Sequence, residues 1–149
     1  MKLLVPIRTL LRQKSGQVWS IGPDATVYDA IEMLADKGVG ALVVLEGDEL
    51  AGVISERDYA RKVILKGHSS KDTLVKDIMT RDVVTVSPQD TVEHCMAIMT
   101  DKRIRHLPIV EGGKVVSVIS IGDVVKWTIS AQEEAIQQLE NYVTGKYPG

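Results

Sequence analysis

Two stretches, "GVISERD" (Gly52 to Asp58) and "SVISIGD" (Ser117 to Asp123), stand 65 positions apart in this chain. The same offset joins Pro23 to Pro88, Thr26 to Thr91, Lys37 to Lys102, Leu42 to Leu107, Ser55 to Ser120 and Asp58 to Asp123. Positions 18 to 59 align with their counterparts without a gap, so the chain reads as one supersecondary unit written twice.

Each copy carries the same pattern. "VWSI" and "VVTV" are β-rich runs. Turn residues then open "GPDATVYDAIEMLADKG" and "SPQDTVEHCMAIMTDKR", whose apolar residues fall at helical spacing: Val27, Ala30, Ile31 and Leu34 in one, Val92, Cys95, Met96 and Met99 in the other. "ALVVL" and "LAGVIS" flank "EGDE", as "HLPIV" and "VVSVIS" flank "EGGK", which is a hairpin pattern with glycine in the turn. New helices start at "ERDYARKVILKG" and "IGDVVKWTIS". The expected class is α+β: two β-α-β-β-α units packed about a pseudo-twofold axis, with extra N- and C-terminal helices. The expected boundaries are 1–17 for an N-terminal helix and linker, 18–66 and 83–128 for the units, 67–82 for a connector, and 129–149 for a last helix and tail. A three-stranded unit is too small to close a comfortable core alone. Two packed copies would leave a cleft between equivalent loops, where small ligands bind.

Composition removes several function classes. A formal net charge of −2 supplies no global attraction for nucleic acid or an anionic membrane. With no Phe, two Trp and four Tyr there is little to stack bases on. The one cysteine forms no internal disulfide, and Cys95 on the apolar stripe reads as a core residue. His94 and Cys95 are adjacent on a helix and point about 100° apart, so they do not chelate one metal together. Pro6 and Arg8 interrupt the apolar run Leu3 to Leu11, and no stretch reaches the roughly 20 apolar residues of a membrane span. The expectation is a cytoplasmic protein with no catalytic residues, no metal, no nucleic-acid partner and no membrane partner.

Ser-x-x-Asp between a strand and a helix is a capping box, and that account of Ser55/Asp58 and Ser120/Asp123 is sufficient by itself. The same geometry aims backbone N–H groups outward at a site suited to phosphate, with an acid one turn on that can accept from ribose hydroxyls. The duplicated unit, "VKDIMT", "RIRHLPIV" and the two endings together resemble a tandem pair of CBS domains, a Bateman module of the stand-alone type, from Val18 to about Trp127.

That resemblance implies a regulatory, non-enzymatic module binding AMP, or ADP, ATP or NAD(H), in clefts between the copies. The alternative is a structural or protein-interaction module with no physiological nucleotide. The resemblance assigns Ser55 with Asp58, and Ser120 with Asp123, to phosphate and ribose. It assigns Ser20 with Ile21, and Thr85 with Val86, to the adenine edge. The base and phosphate wall would be Val39, Gly40 and Ala41 in one copy and Ile104, Arg105, His106 and Pro108 in the other. The copies differ at Gly52 against Ser117 and at Arg57 against Gly122. Arg105 and His106 are expected beside Asp123, so that cleft would favour a nucleotide carrying negative charge, while the Asp58 cleft relies more on Arg57 and Arg61. A homodimer is expected through Ile136, Leu139 and Val143, with Leu3, Leu4, Leu10 and Leu11 adding apolar surface, and an unidentified effector protein is a possible further partner.

Overall fold

The computed structural model describes residues 5–12 and 17–144 of the chain. Both long helices of the repeat begin on a threonine cap. Thr26 Oγ1 accepts from the Asp29 N–H at 3.1 Å to open α2 (Val27–Lys37), and Thr91 Oγ1 accepts from the His94 N–H at 3.0 Å to open α5 (Val92–Lys102). A narrow stripe of each is buried: Val27, Ala30 and Leu34 in α2, Val92, Cys95 and Met99 in α5. Met96, expected in the core, is exposed at the edge of that stripe. Burial, and after it the charge of Asp90, pushes the Cys95 thiol up to about 12, so it stays protonated as a packing group.

The first sheet places β1 (Ser20–Ile21) parallel to β2 (Ala41–Glu46), which pairs antiparallel with β3 (Glu49–Ser55). The second repeats the hairpin as β4 (His106–Glu111) and β5 (Lys114–Ser120), with the register shift at the equivalent place, Ile109/Val110 for Val44/Leu45. The strand expected at Thr85–Val86 is reduced to a single bridge between Val86 and Ile109. Pro108 explains the loss. It occupies the place of Val43, which pairs with Ser20, and a proline has no N–H to donate to a neighbouring strand. β3 and β5, which are equivalent strands, touch each other, as a twofold relation between the units requires.

The cores are closed crosswise. The arm that precedes the first unit, α1 (Ile7–Leu11), packs into the second unit's core with Ile7 and Leu10, while α4 (Val75–Ile78), which precedes the second unit, packs into the first with Val75 and Ile78. The backbone repeats the exchange bond for bond. Ile7 N–H donates to Asp90 O and Arg8 N–H to Pro88 O, as Val75 N–H donates to Ala25 O and Lys76 N–H to Pro23 O. The N-terminal arm and the connector are therefore one element in two copies, a relation hidden from the alignment because it lies outside the ungapped stretch.

The ending helices differ. In the first copy, α3 (Glu56–Tyr59) widens into a π-helical turn, Ala60–Ile64. In the second, α6 runs unbroken from Ile121 to Val143, fusing the two helices expected either side of position 128. No Gly or Pro occurs between Gly122 and Gly145 to stop it.

Gly52 is fixed by the connector. A Cβ there would stand 2.7 Å from Thr80 O and 2.8 Å from Met79 Sδ, because Thr80 pairs with Val53 along the edge of β3. Its counterpart Ser117 is buried, and its hydroxyl finds no hydrogen-bond partner. Gly52→Ala should destabilise the protein by about 1–3 kcal/mol, whereas Ser117→Ala should be neutral or stabilising by about 1 kcal/mol, both read from urea unfolding. Ile7→Ala should cost about 2–5 kcal/mol in the same measurement, like a central core residue, despite its place near the chain start.

Candidate functional site

Both Ser-x-x-Asp stretches form caps. Ser55 Oγ accepts from the Asp58 N–H at 3.2 Å, and Asp58 Oδ2 accepts from the Ser55 N–H at 3.0 Å and the Ser55 hydroxyl at 3.1 Å. Ser120 Oγ accepts from the Asp123 N–H at 3.1 Å, and Asp123 Oδ2 from the Ser120 N–H at 2.9 Å. The other Asp58 oxygen meets Lys62 Nζ at 3.0 Å and a long bond from the Thr80 hydroxyl at 3.4 Å. Lys62 also donates to Ile78 O at 2.8 Å, so this carboxylate ties the cap to the connector.

The caps nevertheless open onto clefts. Ser55, Arg57 and Asp58 border a cavity of about 840 Å³ completed by the other copy through Lys102, Arg103, Ile104, Arg105 and His106, and by Thr80, Asp82, Val83 and Val84 from the connector and the strand start. Ser120 and Asp123 border a smaller one of about 310 Å³, completed by Gln17, Trp19, Val39, Gly40 and Ala41. Each cleft is thus built from the cap of one copy and the helix-to-strand loop of the other. Gly40 and His106 line both, and a Cβ on Gly40 would meet the imidazole at 3.1 Å, so the glycine makes room for that ring.

This crossing reverses the expected charge distribution. Arg105 lies in the Asp58 cleft and not beside Asp123, and His106 is shared. The Asp58 cleft gathers Arg57, Arg61, Lys62, Lys102, Arg103 and Arg105 against Glu56, Asp58 and Asp82. The Asp123 cleft contains no lysine or arginine among its described lining. Its counterparts to Arg57, Arg103 and Arg105 are glycines 122, 38 and 40, and Lys37, the counterpart of Lys102, sits over the Trp19 ring at 4.3 Å.

Five expected residues line neither cleft: Ser20, Ile21, Thr85, Val86 and Pro108. Val86 and Pro108 are buried in the second unit, and Ile21 packs on the first core. The residues just before them, Trp19 and Val84, reach the clefts, because the ladder begins only at Ser20 and Val86. Lys62, Lys102, Arg103 and Thr80 were not anticipated. Lys102 and Arg103 belong to the "KRIRH" run, which by composition alone reads as a solvated face.

Arg103 holds a left-handed conformation, φ 54° and ψ 43°, where the first copy has Gly38 at φ 64° and ψ 36°. Its carbonyl accepts from Arg57 Nη1 at 3.0 Å, joining the copies across the cleft. A left-handed residue with a Cβ is strained by about 1–2 kcal/mol, of which glycine's extra chain entropy offsets about 0.5–1 kcal/mol. Arg103→Gly should therefore raise unfolding stability by about 0.5–1 kcal/mol in a urea titration.

Comparison with known proteins now assigns the architecture. The family model described as CBS domain matches residues 14–65 and 75–130. The chain belongs to the CBS-domain family. A CBS-domain-containing protein from Arabidopsis thaliana, CBSX3, named as mitochondrial, is 46% identical over 129 residues, covering 83% of this chain and 63% of that protein. The chain thus spans under two thirds of that relative. A CBS-domain protein from Burkholderia ambifaria assigned to signal transduction superposes with a TM-score of 0.83 at 46% identity, covering 86% of this chain and 96% of that one. The CBS domain pair of protein MJ0100, in complex with 5′-methylthioadenosine and S-adenosyl-L-methionine, shares the fold at a TM-score of 0.73 and 19% identity, covering 83% of this chain and 99% of that one.

Proposed function

We propose that this chain is a regulatory module, without chemistry of its own, that binds an adenosine nucleotide in the Asp58 cleft. The observation that carries the reading is the meeting, in one cavity of about 840 Å³, of the Ser55–Asp58 cap with six lysine and arginine side chains from both copies. Phosphate would lie among Arg57, Arg103 and Arg105. The base would rest on Val83, Val84 and Ile104, and a ribose hydroxyl would displace the long Thr80 bond to Asp58. Of AMP, ADP, ATP and NAD(H), the surplus of cations favours ligands with more than one phosphate. The Asp123 cleft suits an adenosine compound without phosphate, as both compounds seen with MJ0100 are. No helix among the described residues is long and apolar enough to cross a membrane, and a cytoplasmic location belongs to the proposal.

One observation favours a different reading, an interaction module with empty clefts: both Asp58 oxygens are already engaged within the chain. The two separate in a melting experiment. Adenosine nucleotides at ~100 times their dissociation constant should add about 2.7 kcal/mol, and guanosine nucleotides should not, because guanine offers a carbonyl and an N–H where adenine offers an amino group and an acceptor. Arg105→Gln, which leaves the cap untouched, should weaken adenosine-nucleotide binding by calorimetry about 10- to 150-fold. Equal shifts with AMP and GMP, or no shift with any nucleotide, would return the Ser-Asp pairs to a purely capping role.

A further inference from the structure

The two clefts are walled by the same two pieces of the molecule. In the first copy the Gly40 carbonyl accepts from the Glu56 N–H at 3.1 Å, which fixes the helix-to-strand loop to the start of α3. In the second the Arg105 carbonyl accepts from the Ile121 N–H at 2.9 Å, which fixes the equivalent loop to the start of α6. Each loop is thus bound to the cap of its own copy while it lines the cleft of the other. One block carries the Asp58 cap and the Gly40 loop, and the other carries the Asp123 cap and the Arg105 loop. Any displacement of one block against the other changes both clefts at once.

Where the two cavities border each other, the blocks meet through His106. A Cβ on Gly40 would stand 3.1 Å from the imidazole Cε1 and 3.2 Å from Nε2, so the ring lies against the bare face of that glycine. The counterpart of His106 in the first copy is Ala41, which lines the Asp123 cleft and not the Asp58 one. The contact is therefore one-sided: a ring from the second copy rests on backbone of the first, with no matching ring in return. On the Asp58 side the blocks are also joined by Arg57 Nη1 donating to Arg103 O at 3.0 Å. An anion among Arg57, Arg103 and Arg105 would draw both blocks onto itself and close that cleft. About a border at His106 and Gly40, closing one side opens the other, because a close-packed contact passes strain on and does not absorb it.

We propose that His106 is the fulcrum of a reciprocal coupling between the clefts: a nucleotide bound by its phosphates at Asp58 weakens the binding of a phosphate-free adenosine compound at Asp123, and the reverse. This rests on the nucleotide reading above. The exchanged arms pin the two cores, so only the caps and loops at the rim rock. The coupling is about 5- to 20-fold, in the lower part of the range usual for linked sites, and it has the same size in both directions because it belongs to the binding free energies.

The experiment is calorimetric titration of the full chain with ADP, alone and with 5′-methylthioadenosine at rising fixed concentrations, then with the roles exchanged. In the wild type the ADP dissociation constant should rise by the coupling factor and level off once 5′-methylthioadenosine saturates, and saturating ADP should raise the 5′-methylthioadenosine constant equally. 5′-Methylthioadenosine is uncharged, so repulsion between the ligands adds nothing to the effect. In His106→Ala the ratio of constants should fall to near one, while His106→Phe, which keeps a ring against Gly40, should retain the coupling. Each ratio is taken within one variant, so a contact to ligand lost with the imidazole cancels. The idea is overturned if 5′-methylthioadenosine does not bind, or if it leaves ADP affinity unchanged or tighter. A weakening that grows without limit overturns it too, since that is competition for one cleft. So does a coupling that survives His106→Ala, or one lost in His106→Phe as well, which would make the ring nitrogens and not the ring volume responsible. If neither compound binds, the nucleotide reading falls and the coupling with it; if both bind independently, the coupling alone falls. The wild-type titrations decide this even where a variant fails to fold.

Discussion

Each half of this protein is closed by a segment that belongs, in chain order, to the other half. Ile7 and Leu10 complete the second core, Val75 and Ile78 the first, and the same backbone hydrogen bonds hold both arms. A β-α-β-β-α layer of this size leaves one side of its helix and sheet uncovered, and burying a few large aliphatic side chains there is worth several kcal/mol. Because each arm is covalently continuous with one unit and packed into the other, the units are locked in a fixed relation. The clefts between them are preformed by core packing and do not depend on a ligand to assemble.

Within that frame the duplication is symmetric in its skeleton and asymmetric in its charge. Threonine caps, hairpin register, the bulge and the Ser-Asp boxes recur at equivalent positions. What has diverged is the rim: three glycines in one helix-to-strand loop and the start of α6 stand opposite three arginines. Arg103 shows that this divergence carries a conformational penalty, since it occupies a left-handed position that Gly38 fills without strain. The penalty buys a guanidinium at the mouth of the larger cleft and a carbonyl oriented toward Arg57.

The Ser-x-x-Asp pairs are both caps and cleft walls, and the two roles are compatible because they use different sides of the same helix end. The backbone-facing oxygen of Asp58 is committed to Ser55, while the other meets Lys62 and Thr80 at the cavity. At the second cap the same start of helix leads without interruption into α6, so the Asp123 cleft and the exposed apolar residues of that helix lie on one continuous rod.

Much of this was determined by the sequence alone. The ungapped offset, the helix periodicities and the glycine turns specify two β-α-β-β-α units, and the family resemblance identified the cap residues that border the clefts. Those features are local, and local features repeat wherever the residues repeat. The tertiary structure decided everything that depends on which copy faces which. Arg105 reads in sequence as a neighbour of Asp123, yet the twofold arrangement carries its side chain to Asp58. The equivalence of "VPIRTLL" and "TLVKDIM" is invisible to pattern matching, because the two share only aliphatic positions and one basic residue, and their roles appear only once each is seen in the opposite core. Pro108 reads in sequence as a wall residue, but its side chain is buried in the second unit and its missing N–H shortens the sheet there. A linear chain encodes the chemistry of each position, but proximity between positions is fixed by how the two cores exchange their arms.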